Sequence, residues 1–230
     1  YSARHRYLAS RTSRALALSF LTAALAAGPA TAQDRLERFE LFAQGGVSAF
    51  TRAARLFTYA WPDSPDFFRY FRFREENSFG ASGRLFTGLR YYLTRNNALE
   101  ASYSYSPNRF RLTITVTSYP PDSLFPLQTE FFSWPMAVHN VAFDYVRYLP
   151  ALHRLHPFVT VGLGFAVFEV DYYGQARFAA NLGAGVDIPL RPRIYLRGEF
   201  RHFLTQRPGF TGFTTITHNF VPSLGLAIKF

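Results

Sequence analysis

The chain contains no cysteine. Disulfide staples and thiolate metal sites are therefore excluded. Long apolar runs are missing too. Past residue 32, no segment stays apolar over the ~20 residues that a membrane-spanning helix needs. Acidic side chains are scarce, 15 against 25 Lys and Arg, which leaves a net charge of +10. Such a surplus suits nucleic acid when it is clustered on one face. Here the basic residues stand singly within alternating segments of a chain that starts with an export signal, so a nucleic-acid partner is set aside. No metal-ligand spacing occurs. The glycine pairs in "GLGF" (Gly162–Phe165) and "GAGVD" (Gly183–Asp187) lie inside strand-like segments rather than at a strand-to-helix turn. They are not phosphate loops, and no cofactor is expected.

The N-terminus carries Arg4, Arg6, Arg11 and Arg14, then the apolar run Ala15–Ala27, then Ala30-Thr31-Ala32. A basic start, a short apolar stretch and an A-x-A site make up a secretory signal peptide, expected to be cut after Ala32. An uncleaved N-terminal anchor is the alternative. Cleavage removes four arginines and no acid, so the expected mature domain, residues 33–230, carries a net charge of +6.

Aromatic residues are abundant, 26 Phe and 14 Tyr, and they recur with a period of two. That period places alternate side chains on opposite faces of a strand. Eight such segments are read: Phe39–Phe50, Phe79–Leu93, Ala98–Ser106 with a continuation at Arg109–Ser118, Met136–Leu149, His156–Val170, Arg177–Leu190, Arg193–Leu204 and Thr217–Phe230. Three connections are tight: Thr94–Asn97, Pro150–Leu155 and Arg191–Pro192. Thr51–Ser78 and Pro107–Pro135 are long, while Asp171–Ala176 and Thr205–Ile216 are moderate. Tight turns alternating with longer connections predict an all-β, eight-stranded antiparallel up-and-down transmembrane barrel with both ends of the domain on one side.

The two faces differ in chemistry. One is apolar: Phe79, Ala81, Leu85, Leu89 and Tyr91 in the second segment, Phe178, Ala180, Leu182 and Ala184 in the sixth. The other mixes small residues with charges: Arg84, Arg90, Arg197, Arg201 and Lys229 against Glu40, Glu100, Asp144, Asp187 and Glu199. Five of each sign suit a closed interior, because buried charges must be paired. A soluble barrel would have the opposite polarity. Arg147 falls on the apolar phase close to Pro150, where it can snorkel toward headgroups. In a closed membrane barrel the last strand must pair with the first, which gives the terminal "SLGLAIKF" its purpose.

The segments "GLRYYLTRNNALEASYSYS", "HPFVTVGLGF", "NLGAGVDIPLRPRIYLRGEFRHF" and "PSLGLAIKF" resemble the eight-stranded outer membrane protein A-like β-barrel domains of bacteria. The resemblance implies residence in the bacterial outer membrane. It also implies contact with outer-membrane lipids, lipopolysaccharide among them, and an encounter with the barrel assembly machinery during biogenesis. Under it Leu226, Ile228 and Phe230 form the assembly signal; as plain strand residues they are lipid-facing. The chain ends at the barrel, so a peptidoglycan-binding role is not carried over. A non-enzymatic structural or surface-interaction role is expected, for a monomer whose lumen ion pairs largely close it.

A transport barrel for small or hydrophobic compounds is the alternative, and a soluble lipid-binding barrel a more distant one. Lipid A 3-O-deacylases are also outer-membrane barrels, with a His followed two residues later by Ser. Here His202 is followed by Phe203 and Leu204, and His218 by Asn219 and Phe220, so the nucleophile is missing. His139, His202 and His218 are read as amphipathic rim residues. Arg197–Glu199 and Glu100–Asp144 are read as lumen salt bridges rather than an acid/base pair. In the segment Arg52–Asn77, five arginines (Arg52, Arg55, Arg69, Arg72 and Arg74) stand among aromatics and are expected at anionic lipid headgroups. A pair of extended rim strands is the other reading of that stretch.

Overall fold

The computed structural model describes residues 37–64, 67–119, 128–170, 173–208 and 216–230. The signal peptide expected at 1–32 lies outside them. Ten strands are described: β1 Phe39–Phe50, β2 Ala53–Ser64, β3 Phe67–Phe79, β4 Ser82–Tyr92, β5 Asn97–Tyr119, β6 Gln128–Tyr148, β7 His156–Val170, β8 Tyr173–Arg191, β9 Ile194–Gln206 and β10 Ile216–Lys229.

Eight of them close a ring. From β4 to β10 each strand pairs antiparallel with the next, and β1 pairs with both β4 and β10. The closing seam runs from Glu40↔Lys229 to Phe50↔Asn219. At its end the Phe39 N–H donates to the Phe230 carbonyl (3.1 Å) and the Phe230 N–H to the Phe39 carbonyl (2.8 Å). Closure leaves no edge, and each unpaired backbone group in hydrocarbon would cost several kcal/mol. The tight connections lie at this same end of the barrel, hereafter the turn end. His153 (φ 58°) and Arg193 (φ 75°) adopt the left-handed backbone in two of them.

The long connections are largely strand, as in the rim-strand reading of Arg52–Asn77 and the continuation read at Arg109–Ser118. Thr51–Ser78 is mostly strand, because β2 and β3 form a hairpin that rises from the far end of the barrel, and β3 pairs onto the upper half of β5. Within Pro107–Pro135, β5 runs on to Tyr119 and β6 starts at Gln128. The β2–β3 hairpin stands outside the ring of eight. Backbone pairing and cross-strand contacts hold it. Arg55 faces Glu75 and donates to it through Nε at 2.6 Å, while Phe57 stacks on Phe73 with ring centres 5.0 Å apart.

A slip of one residue separates β3 from β4. Phe79 pairs with Phe110, yet Leu85 pairs with Tyr105. The extra residue is a bulge around Gly80–Ala81, and a one-residue slip exchanges the faces. Phe79, expected on the apolar outer phase, therefore points inward and is buried.

Elsewhere the alternation sorts inside from outside as read. Leu85, Phe143, Leu163 and Leu182 are each more than half exposed, while Glu40, Arg90 and Arg197 are wholly buried. Apolar outside and charged inside is the inverse of a soluble barrel and belongs in a bilayer. The narrow interior also demands small residues. A Cβ on Gly88 would sit 2.6 Å from both the Phe42 ring and the Ala101 carbonyl oxygen.

Candidate functional site: the barrel lumen and its rim

Strand pairing brings inward charges from six strands to one level. Arg90 of β4 donates to Glu100 of β5 through Nε (2.9 Å) and Nη2 (2.5 Å), and Glu40 of β1 lies 3.8 Å from its Nε. Arg197 of β9 holds Asp187 of β8 in a two-pronged contact, both bonds 2.7 Å, and reaches Glu40 at 2.6 Å. Arg201 donates to Glu199 (2.6 Å), to Asp144 of β6 (2.7 Å) and to the free oxygen of Glu100. The result is one continuous line: Asp187, Arg197, Glu40, Arg90, Glu100, Arg201, then Asp144 and Glu199. Flat guanidiniums suit it because each can serve two or three carboxylates at once. Phe158 lies under both Arg90 and Arg197, 4.7 and 5.1 Å from ring centre to guanidinium carbon, and Phe86 lies 4.5 Å from that of Arg201.

Arg197 and Glu199, expected to bridge each other, instead meet Glu40 with Asp187 and Arg201 respectively, and the two acids Glu100 and Asp144 share Arg201. Two further residues expected in these pairs are elsewhere. Lys229 has no carboxylate within ion-pair distance among the described residues. Its ammonium sits toward the turn end among the rings of Tyr195 (4.4 Å), Tyr92 (4.7 Å) and Tyr148 (5.7 Å). Arg84 likewise lacks a carboxylate partner, since its level of the barrel presents Ser104 and Asn140 rather than acids. Charge counting along the strands could not show this, because it does not fix height in the lumen.

The tyrosines were missed as network members. The Tyr148 hydroxyl accepts from Arg90 Nη1 (2.6 Å) and donates to Asp187 (2.8 Å), while Tyr92 donates to Glu40 (2.7 Å). Tyr148 is in phase with Asp144, and that phase was the available signal. Asn181, which donates to Asp144 at 2.6 Å, was missed for the same reason.

Toward the far end, apolar rings fill the lumen. Phe79 and Phe168 meet with centres 5.8 Å apart, and Phe50 and Phe168 at 6.5 Å. These rings come from opposite walls of the ring of strands. The sequence reading did not anticipate this plug; the bulge that turns Phe79 inward helps build it.

On the outside, Leu226, Ile228 and Phe230 are about half exposed. The Phe230 ring stacks on Phe39 at 6.1 Å. Arg52, Arg55, Arg72 and Arg74 are exposed, but Arg55 is engaged by Glu75 and Arg74 by Glu76 (2.6 Å). The side chain of Arg69 lies outside the described residues. Arg147 donates to Asn97 at 2.5 Å near the turn end. Arg109 and Arg111, not singled out in the sequence, line a recess of about 450 Å³ beside the bulge.

The histidines also face outward. His202 and His218 share a hydrogen bond of 2.8 Å between their rings. Tyr103 and His139 Nδ1 lie 2.7 Å apart, with Glu169 3.6 Å from His139 Nε2. Among the described residues no histidine ring is bonded to a serine hydroxyl, so the nucleophile–base pair that acyl transfer needs is not assembled there. No described group of three His, Cys, Asp or Glu is placed to hold a metal.

Comparison with known proteins agrees with this architecture. No curated protein matches the chain. Among solved structures, Neisserial surface protein A (NspA) is similar at 12% identity and a TM-score of 0.50, covering 84% of this chain and 97% of its own. The outer membrane protein OprG from Pseudomonas aeruginosa is similar at 11% identity and a TM-score of 0.50, covering 84% and 95%. At such identities the likeness is one of fold. A family model described as "Outer membrane protein beta-barrel domain" matches residues 18–230. With a closed eight-stranded ring, an apolar exterior and a charged lumen, the chain belongs to the outer membrane β-barrel protein family and resides in the bacterial outer membrane.

Proposed function

We propose that this protein is a non-enzymatic outer-membrane barrel with a structural or surface-interaction role and a lumen shut to hydrophilic solutes. The observation that carries the reading is the buried line of three arginines and five carboxylates crossing the lumen. A solute would have to part several charge-assisted bonds at once in a space without bulk water, and the aromatic plug stands behind them. Eight strands enclose an interior that side chains can fill. The test is electrical. The purified monomer in planar bilayers should show little steady conductance. Large, stable, weakly selective channels would overturn the reading and favour solute transport.

The exposed hairpin supports a surface role. Arg52 and Arg72, together with Arg109 and Arg111 beside the bulge, are exposed, and this supports reading them as partners for phosphates of anionic outer-membrane lipids, lipopolysaccharide included. The seam strand β10 presents Leu226, Ile228 and Phe230 outward for recognition by the barrel assembly machinery before closure. The folded protein is then a monomer, since the strand edges of the eight-stranded wall are consumed within one chain.

A further inference from the structure

The lumen charges divide unevenly along the barrel axis. The five carboxylates all belong to the line around Arg90, Arg197 and Arg201. Between that line and the aromatic plug lies a layer whose one charge is Arg84. This guanidinium is 3% exposed. Its Nη2 donates to Ser104 Oγ at 2.5 Å, and its face rests on Phe203, 4.6 Å from the ring centre. Among the described residues its Nε and Nη1 have no hydrogen-bond partner. A buried charge without a counter-charge costs several kcal/mol, and the neighbouring acids are already committed to Arg201.

The groups around Arg84 are mainly donors. The Asn140 amide nitrogen is buried without a partner among the described residues. Ser104 and Asn140 face each other across the β5–β6 pairing. Guanidinium, amide N–H and hydroxyl groups together select a negative ligand over a cation. The packed rings above, with Phe79 and Phe168 5.8 Å apart, cap the layer on that side and favour a small ligand over an organic acid with a chain. We infer that the Arg84 layer holds a small inorganic anion, a halide or an oxyanion, as a built-in counter-ion that completes the lumen.

The experiment uses the full barrel refolded in a sugar-headed detergent, which brings no phosphate of its own. Sodium gluconate, chloride and phosphate are compared at equal ionic strength, gluconate being too large for the layer. The thermal unfolding midpoint should rise by several degrees from gluconate to chloride or phosphate. The rise should be lost in Arg84→Met and kept in Arg52→Gln. A rise with chloride alone identifies a halide site, and one with phosphate alone an oxyanion site; either supports the inference. Crystals grown in bromide should show its anomalous signal at hydrogen-bond distance from Arg84. If Arg84→Met does not fold, the Arg84 Nε–H resonance of the unaltered protein decides, and it should move when gluconate is exchanged for chloride or phosphate. Equal midpoints in all three salts, an unmoved resonance, or ordered water alone beside Arg84 would overturn it.

Discussion

Replacing Glu100 by Gln is the sharpest probe of the lumen line. Glu100 is 2% exposed and joins its two halves, with Oε2 on Arg90 and Oε1 on Arg201. Gln keeps the shape and one acceptor but turns an N–H toward a guanidinium. Breaking a buried pair by removing one partner costs ~3–5 kcal/mol. Redundancy pulls the value down: Arg201 keeps Asp144 and Glu199, and Arg90 keeps Glu40 at 3.8 Å. The expected loss is therefore ~3 kcal/mol, the low end of that range. Glu199→Gln should cost less, ~1–3 kcal/mol, because Arg201 has two other acids. Glu37→Gln breaks the exposed pair with Arg193 (2.7 Å, side chains 33% and 48% exposed) and should cost under ~1 kcal/mol. The assay is reversible urea unfolding in detergent, with equal slopes required before midpoints are compared. A Glu100→Gln loss no larger than that of Glu37→Gln would refute the buried-network argument.

Deleting Phe230 should lower outer-membrane yield far more than Phe131→Ala, because Phe230 bonds to Phe39 at the seam whereas Phe131 is 78% exposed on the β6 extension; equal yields would count against an assembly role. Changing Arg52, Arg72, Arg109 and Arg111 together to Gln should weaken lipopolysaccharide association in a salt-dependent way, measured by co-purification, while Arg55→Gln and Arg74→Gln, already engaged by glutamates, should do little. Gly88→Leu should block folding into the heat-modifiable form on gels, because its side chain must enter the space of the Phe42 ring. Tyr103→Phe should leave the lipid A acylation pattern unchanged by mass spectrometry; an altered pattern would reopen the enzyme reading.

Much of this protein was legible in its alternation. The period of two marks the eight wall strands, and the phase of Glu40, Arg90, Asp187 and Arg197 assigns them to the interior. β1 and β7 match the read segments to the residue. Eight of the ten charges expected as pairs do meet. Arg84 and Lys229 do not, because pairing depends on height along the barrel, which strand register and tilt set jointly. The β2–β3 hairpin agrees with the rim-strand reading of Arg52–Asn77, and its order comes from backbone pairing with β5.

What the chain by itself determined is which side of each wall strand faces lipid and which faces the lumen, since that follows from local polarity and a fixed two-residue period. Which inward groups touch was decided only by closure. The single-residue bulge at Gly80–Ala81 turned Phe79 from the lipid side into the plug, and no local pattern announces it. The ring of strands brought Glu100 between Arg90 and Arg201, 10 and 101 residues away in sequence, and left Arg84 alone. Contacts across a lumen depend on the summed register of every strand around the ring, and that sum exists only once the barrel has closed.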